Sequence, residues 1–282
     1  MSKPETGTSL GIQVTLPSEY ARDGVFLEML KTLQESGCDH VELNIPFPEN
    51  TKPSQVNEVL SRYGLRCTNF ATGGLYPGKI TSLSHSDETV RKQSVESIKG
   101  VIRYCSEAGF KGLILGFAQG NDTKDRSLAR ELFKSSLDQL VPYAQQAKVT
   151  IVVEALNRFI SNVCNTLDDT VELVGDYPKE VVAVLPDTYH MNIEESDMML
   201  PLIKHAQWFR SIHFSENNRY FPGLGAIDFQ RVYRALYSVG FTGELTIEGN
   251  VKNSWIPELI GSAELMKNLR VNEQNLHAGN MK

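Results

Sequence analysis

The sequence predicts an α/β protein folded as a (β/α)8 barrel, and three observations lead to that prediction. Short apolar segments alternate with amphipathic ones along the chain, and eight of the apolar segments have the composition of strands. Strands that alternate with helices are parallel, because a parallel neighbour cannot be reached through a hairpin. The 282 residues suit eight such units, and no Gly-x-Gly-x-x-Gly follows the first strand, which disfavours an open doubly wound sheet.

The predicted strands occupy roughly residues 11–16, 40–45, 66–71, 112–117, 150–156, 181–186, 209–214 and 244–249. Apolar residues spaced by three and four predict helices across 26–33, 95–102 and 229–236, with a shorter helix near 56–60. Glycines that supply left-handed helix ends follow these segments, at Gly37, Gly64, Gly109 and Gly240.

The chain contains no linker rich in Pro, Gly or Ser, so we expect one domain over residues 1–282. Within it, the segment 71–89 is expected to be a flexible insertion, and the residues beyond about 272 a loose tail.

Composition excludes several classes of protein. Hydrophobic residues make up 41% and charged residues 22%, which is typical of a soluble globular protein, and no segment approaches the roughly 18 apolar residues of a membrane span. The net charge of -6, without a basic run, disfavours a nucleic-acid partner. The polar start "MSKPETGTSL" is unlike a secretion signal, so we expect a cytoplasmic protein without membrane partners. The four cysteines form no Cys-x-x-Cys pair and are expected to be buried thiols.

Polar side chains occupy the carboxyl ends of four successive predicted strands, where barrels of this kind have their active sites. These residues are Glu154, Asp187 with His190 just beyond it, His213 and Glu248. Each alone has an ordinary explanation, such as a cap, a turn or a structural histidine. Chance does not readily place all of them at one mouth, and three carboxylates crowded there repel one another without a cation.

Two glutamates, one aspartate and one imidazole form a ligand set that is mainly hard oxygen with one nitrogen. Such a set suits Mn²⁺, Mg²⁺ or Co²⁺ better than a structural zinc site rich in thiolates. Four protein ligands leave octahedral positions open for substrate oxygens, so the ion is able to act as a Lewis acid. The pattern therefore predicts a catalytic metal site.

Four motifs in this half of the chain resemble the D-tagatose/D-psicose 3-epimerase family of the xylose-isomerase-like TIM barrels. They are "VEALNRF", "DTYHMNIEE", "HFSENNRYFPGLGAIDF" and "TIEGN", and together they cover residues 150 to 250. The resemblance implies a divalent cation, most commonly Mn²⁺, held by Glu154, Asp187, His213 and Glu248. It also implies a small-molecule ketose or keto-sugar as substrate and a homo-oligomeric protein.

The same resemblance implies roles for individual side chains. Glu154 and Glu248 are expected to flank the sugar as a pair of catalytic bases, while His190 and Arg219 hydrogen-bond oxygens at its carbonyl end. One position departs from the family: Ile160 stands where the epimerases of free ketohexoses have a glutamate that contacts the substrate. We therefore expect the carbonyl end to be held differently or to differ chemically.

Two acidic residues outside this set, Glu194 and Glu195, are expected to be a solvated helix start.

The predicted function is a divalent-metal-dependent epimerase that inverts a carbon next to the carbonyl of a ketose or keto-sugar derivative. A carboxylate removes the proton, a metal-bound enediolate forms, and the opposite carboxylate returns a proton to the other face. An aldose–ketose isomerase or a ketocyclitol dehydratase would use the same ligands and remain alternatives. A non-catalytic sugar-binding protein would be expected to have lost a ligand or a base. A metal endonuclease of this superfamily would need more histidines at strand ends than the six in the chain provide.

Overall fold

Eight parallel strands form one sheet that curves into a nearly closed barrel, within the residues that the structure describes. The structure is a computed structural model, and it describes residues 8–75 and 81–279. The strands are β1 (Ser9–Thr15), β2 (His40–Asn44), β3 (Arg66–Ala71), β4 (Gly112–Leu115), β5 (Thr150–Glu154), β6 (Val182–Leu185), β7 (Ser211–Phe214) and β8 (Glu244–Ile247). The predicted (β/α)8 TIM barrel is thereby confirmed.

Except for β6 and β7, each strand pairs with its neighbour in sequence, and β1 also pairs with β8, so the ladder runs from β6 through β1 to β7. The seam between β6 and β7 is closed by two isolated bridges, Val184 to Phe209 and Asp187 to His213. The backbone N–H of His213 also donates to the carbonyl of Pro186 over 2.9 Å. The seam therefore brings together two of the side chains that the sequence places at the barrel mouth.

The α-helices surround the barrel, and several begin at an aspartate. In the described residues they are α1 (Gly24–Glu35), α2 (Pro53–Ser61), α3 (Glu88–Ala108), α4 (Arg126–Ala147), α5 (Leu167–Val174), α6 (Thr188–Glu194), α7 (Met199–His205), α8 (Phe229–Ser238) and α9 (Trp255–Gly279). The carboxylates that accept a backbone N–H of the first turn belong to Asp23, Asp87, Asp125, Asp187 and Asp228. Such caps satisfy donors that the helix itself leaves unpaired.

The four glycines predicted to end helices all have positive φ, which confirms their role. Of the predicted insertion at 71–89, residues 76–80 lie outside the described residues. The predicted loose tail is wrong for residues 273–279, because α9 continues to Gly279. No proline interrupts "VNEQNLHAG", and most of its residues before the glycine are compatible with a helix. The extent of the single predicted domain stays a prediction.

All four cysteines are buried and unpaired, as expected. Burial is the main cause that raises the pKa of the Cys38 and Cys164 thiols to about 12. Among the described helices, none has both the length and the apolar content that crossing a bilayer demands.

The interior of the barrel divides into an apolar part and a polar part. Strands β3 to β6 contribute a small apolar cluster, which consists of Ala71, Ile114, Val152, Ala183 and Leu185. Strands β2, β7 and β8, with one residue of β3, contribute buried polar side chains, namely His40, Glu42, Asn69, His213 and Thr246. Barrel interiors are usually filled with layers of branched apolar residues, so the polar part marks where the fold serves the site.

We expect the packing between helices and barrel to dominate stability. Phe133 on α4 is fully buried, whereas Phe159 in the loop after β5 is 75% exposed. Phe133→Ala should lower the free energy of unfolding by about 3–5 kcal/mol, because it leaves a cavity. Phe159→Ala is the matched control and should stay within about 0.5 kcal/mol of wild type. Chemical denaturation measures both values, and equal losses in the two variants would contradict the assigned packing.

Candidate metal centre and active site

The carboxyl ends of four strands bring four ligand-type side chains to one point. Glu154 ends β5, Asp187 follows β6, His213 lies in β7 and Glu248 follows β8. One ligand atom from each lies within 4.8 Å of the other three. The convergence predicted from the sequence is therefore present in the geometry.

Local structure fixes the carboxylates. Asp187 caps α6, since its Oδ1 accepts the backbone N–H of Tyr189 over 2.7 Å. A side chain at Gly116 would clash with the Glu154 carboxylate, so this glycine leaves the space into which Glu154 folds. Both carboxylates thus depend on backbone features next to them.

Arg219 joins two of the carboxylates. Its guanidinium lies 2.5 Å from Asp187 Oδ2 and 2.5 Å from Glu248 Oε1, and it stacks over the Tyr189 ring at 5.0 Å. The residue has a φ of 64°, a left-handed conformation that is rare for a non-glycine side chain. The backbone N–H of Asn250 donates to its carbonyl over 2.7 Å and helps to hold it there. Arg219 therefore lies against the cluster, and its predicted contact with a substrate stays a prediction.

His213 is oriented from below by a carboxylate that the sequence did not reveal. Its Nε2 lies 2.7 Å from Glu42 Oε2, and both side chains are fully buried. Its Nδ1 lies 2.5 Å from Glu248 Oε2, 3.6 Å from Glu154 Oε1 and 3.9 Å from Asp187 Oδ2. Neither Nδ1 nor Glu248 Oε2 has a hydrogen-bond partner with acceptable geometry among the described residues. The imidazole therefore presents Nδ1 to three carboxylates.

This arrangement fits a divalent cation. When Nε2–H donates to Glu42, the neutral ring has its lone pair on Nδ1, and a lone pair facing carboxylate oxygens is repelled unless positive charge lies between them. A hydrogen-bonded carboxylate on the remote nitrogen is the usual support of a metal-binding histidine. The donor set, three carboxylates and one imidazole, is one that Mn²⁺, Mg²⁺ or Co²⁺ accepts.

The two glutamates have different electrostatic surroundings. Burial is the main cause that raises the pKa of Glu154, and the charge of Glu248 adds to it. Burial is the largest single effect on Glu248 and opposes its ionisation as well, but the charges of Arg219 and His213 together outweigh it and lower the pKa of Glu248. Burial is also the largest single effect on Asp187, and the positive groups around it, Arg219 first among them, together overcome it and lower its pKa. Glutamates whose pKa values move apart are the pattern expected of an acid and a base that share one site.

His190 also lies beside the cluster. Its Nδ1 accepts the backbone N–H of Asn157 over 3.1 Å and lies 2.8 Å from the side-chain nitrogen of the same residue. Its hydrogen therefore lies on Nε2, which is 3.8 Å from Asp187 Oδ2 and 3.9 Å from Glu154 Oε1. Nε2–H is thus available as a donor to a ligand at the mouth.

A pocket of about 730 Å³ opens above these residues. His190, Arg219 and Glu248 line its inner part, and Phe117 and Ile160 are also among its lining residues. Ile160, the position that departs from the family, therefore lies in the wall of this pocket. Polar groups that converge in a largely apolar pocket are the usual form of a small-molecule site.

The expectation for Glu194 and Glu195 is wrong. Because Asp187 begins α6, both residues lie at the end of that helix rather than at its start. Glu194 accepts the backbone N–H of Arg158 over 2.6 Å and its guanidinium over 2.8 and 2.9 Å. Glu195 accepts the backbone N–H of Leu167 over 2.8 Å. Glu194 therefore fastens the loop after β5, and Glu195 binds the first residue of α5.

Glu42 is the functional residue that the sequence reading missed. The one signal is its place in "HVELN", where a charged residue stands inside an otherwise strand-like segment. Burial is the largest single effect and opposes its ionisation, but the charge of His213 and the hydrogen bonds from His213 and Asn69 together outweigh burial and lower its pKa. The partner lies 171 residues away in sequence, so only the barrel register brings the two together.

A (β/α)8 barrel with a buried carboxylate and imidazole cluster under an open pocket defines a barrel enzyme. The chain belongs to the xylose isomerase-like TIM barrel family, whose model matches residues 30–270.

Similar proteins agree with that assignment. The chain is 26% identical to a ketose 3-epimerase of Arthrobacter globiformis over 91% of this chain and 88% of that protein. It is 28% identical to a 3-dehydro-D-guloside 4-epimerase of Escherichia coli over 80% and 87%. A solved L-ribulose 3-epimerase superposes with a TM-score of 0.80 at 22% identity, over 96% of this chain and 97% of that one. The chain is accordingly an enzyme of the epimerase/isomerase kind.

We expect a cation that enters this cluster to displace a proton. Burial disfavours the charged imidazolium of His213, but the carboxylates of Glu42 and Glu248 outweigh it and hold its pKa well above the ordinary value. Near neutral pH the ion-free protein therefore keeps a proton on Nδ1. Binding of Mn²⁺ should release it, and the apparent affinity should rise with pH by up to about tenfold per unit for each proton released.

Calorimetry in buffers of different ionisation enthalpy counts the protons released. A His85→Gln variant is the control, because His85 lies outside the cluster, and it should release as many protons as wild type. An affinity that does not change with pH would contradict the placement of His213.

Proposed function

We propose that this enzyme is a divalent-metal-dependent epimerase that inverts a carbon next to the carbonyl of a ketose or keto-sugar derivative. The observation that carries the proposal is the convergence of Glu154, Asp187, His213 and Glu248 within 4.8 Å under the pocket. The names of the similar proteins support the reaction type, since these are epimerases of ketoses and keto-sugars.

The same four residues would hold the ion, with Mn²⁺ as our first choice and Mg²⁺ or Co²⁺ as alternatives. When bound, the ion supplies Lewis-acid chemistry that draws charge from a carbonyl and makes the neighbouring carbon acid stronger. The orphaned Nδ1 of His213 and Oε2 of Glu248 are the atoms that most require such an ion.

Glu154 and Glu248 are the two proposed bases. They come from β5 and β8, which stand three strands apart around the eight-stranded barrel, so the carboxylates approach a bound substrate from different sides. One removes the proton and the other returns a proton to the opposite face, which inverts the carbon. Each must serve as acid and base in turn, which the opposed shifts of their pKa values support.

His190 and Arg219 are the proposed substrate donors. Nε2–H of His190 is free of protein acceptors at hydrogen-bond distance within the described part of the chain, and it lines the pocket. The guanidinium of Arg219 places fixed positive charge where an enediolate would carry negative charge. Preorganised charge of this kind is most effective in a site that excludes water.

We expect the loaded enzyme to exchange a carbon-bound proton with solvent. Ketoses, keto-glycosides and ketocyclitols would be incubated with Mn²⁺-loaded protein in D₂O, and deuterium would be located by NMR and mass spectrometry. Label on the inverted carbon next to the carbonyl is the result expected. Label on a neighbouring carbon with an aldose product would identify an isomerase, and loss of water a dehydratase. If no substrate acquired deuterium, the protein would be a binding protein rather than an epimerase, and the proposal would be overturned.

The roles of the two glutamates can be distinguished by asking which of the two epimers still exchanges its carbon-bound proton with solvent in each variant. Glu154→Gln and Glu248→Gln should each slow epimerisation by a factor on the order of 10² to 10⁴, because each loses one acid–base group. In a two-base mechanism each glutamate removes the proton from one of the two epimers. The residual deuterium exchange should therefore occur with one epimer in the first variant and with the opposite epimer in the second. Glu131→Gln, at an exposed site on α4, is the control and should match wild type. Full activity in both test variants would remove the assigned roles.

A further inference from the structure

A continuous set of hydrogen bonds runs through the polar part of the barrel beneath the metal centre. Glu42 lies at its middle, with Oε2 at 2.7 Å from His213 Nε2. Glu42 Oε1 accepts from Asn69 Nδ2 over 2.7 Å and from the Thr246 hydroxyl over 3.2 Å. The same hydroxyl lies 3.1 Å from His40 Nε2. All five side chains are buried.

The far end of this set reaches the opposite face of the barrel. His40 Nδ1 lies 2.7 Å from Ser9 Oγ and 3.2 Å from Asp39 Oδ1, and Ser9 also donates to Asp39. The Asp39 side chain is 55% exposed, so the set begins at solvent and ends at the site. Arg66 donates to Ser9 Oγ over 3.0 Å and adds a positive charge there.

The sequence leaves space for these side chains. A Cβ at Gly11 would clash with the His40 ring, and a Cβ at Gly112 would clash with the amide of Asn69. Buried polar groups are unfavourable unless they are hydrogen-bonded, and networks of this kind are useful only when each member is satisfied. The two glycines and the hydrogen bonds to both oxygens of Glu42 therefore indicate that the sequence specifically accommodates this network.

The direction of the bonds follows from the number of hydrogens. The Thr246 hydroxyl has one hydrogen, and it donates to Glu42 when His40 Nε2–H donates to the hydroxyl oxygen. If the His40 hydrogen lay on Nδ1 alone, Nε2 would compete with Glu42 for the hydrogen of Thr246. The carboxylate is the stronger acceptor for that one hydrogen, so the Thr246 hydroxyl donates to Glu42 and orients it.

We propose that Thr246 is a positioning residue for the metal centre, which acts through Glu42 to hold the His213 ring with Nδ1 facing the ion. The inference rests on the proposed function, because it assigns these residues to the same ion. Groups that orient a metal-binding histidine typically affect metal affinity or activity by about 10-fold to 100-fold.

The test compares Thr246→Val, which keeps the branched shape and removes the hydroxyl, with Thr246→Ser, which keeps the hydroxyl. The dissociation constant of Mn²⁺ is measured by calorimetry, and the unfolding of the ion-free protein is measured in parallel. We expect Thr246→Val to weaken Mn²⁺ binding by about tenfold and Thr246→Ser to restore it. Thr68→Val is the matched control, because Thr68 is a buried threonine of β3 whose hydroxyl has no partner within the described residues, and its affinity should not change.

A double-mutant cycle separates positioning through Glu42 from a merely structural role. If Thr246 acts through Glu42, then Glu42→Gln combined with Thr246→Val should bind Mn²⁺ no more weakly than Glu42→Gln alone. Additive losses would overturn the inference, as would a Thr246→Val protein that binds Mn²⁺ like wild type. If Thr246→Val does not fold, Thr246→Ala with Thr68→Ala as control gives the same comparison. A wild-type protein that binds no divalent ion would instead contradict the proposed function itself.

Discussion

The structure depends on one constraint, which is the burial of three carboxylates within a few ångströms of one another. Like charges in so small a buried volume repel strongly, and removing them from water adds a further penalty. Arg219 neutralises part of this charge through Asp187 and Glu248. The remaining negative charge surrounds Nδ1 of His213, where either a proton or a cation can neutralise it. The chain can tolerate this cluster at rest only because the same point accepts positive charge, which is what makes it suited to an ion.

The division of the barrel interior follows from this constraint. Strands β3 to β6 hold the apolar cluster, which gives the barrel a conventional packed layer on one side. The other side carries Glu42 and the groups that bond to it, so that the imidazole of His213 is supported by hydrogen bonds rather than by apolar contact. Polar packing gives less stabilisation than an apolar core would, but it fixes the direction of the ring. Strands β3 to β6 thus contribute mainly to stability, whereas β2, β7 and β8 mainly hold the geometry of the site.

The parts that sequence could predict are those set by local periodicity. The strand ends carry Glu154, Asp187, His213 and Glu248 at fixed places relative to apolar runs, so the barrel rule alone brings them together. Local patterns contain no such information about Glu42, because its partner is remote in sequence and the contact depends on the register of β2 across the barrel.

Glu194 shows the same limit at short range. Its role follows from where α6 begins: the helix starts at Thr188, nearly two turns before Glu194, so the carboxylate lies at the helix end and binds Arg158. The sequence analysis also failed to predict that α9 continues to Gly279, because residues of ordinary helix propensity do not indicate whether a helix ends or continues.

The bonding of Asp187 bears on how one site would hold both the proposed ion and an arginine proposed to bind the substrate. Oδ1 is already occupied by the N–H of Tyr189, so Oδ2 is the atom left for an ion, and Arg219 contacts that same atom at 2.5 Å. Glu248 differs, since Arg219 takes Oε1 and leaves Oε2 beside His213. An ion and Arg219 would therefore compete for Oδ2 of Asp187, whereas each would have its own oxygen of Glu248. Positive charge entering the cluster would weaken the contact between the guanidinium and Asp187, and Arg219 would then have a donor to offer to a negatively charged oxygen in the pocket.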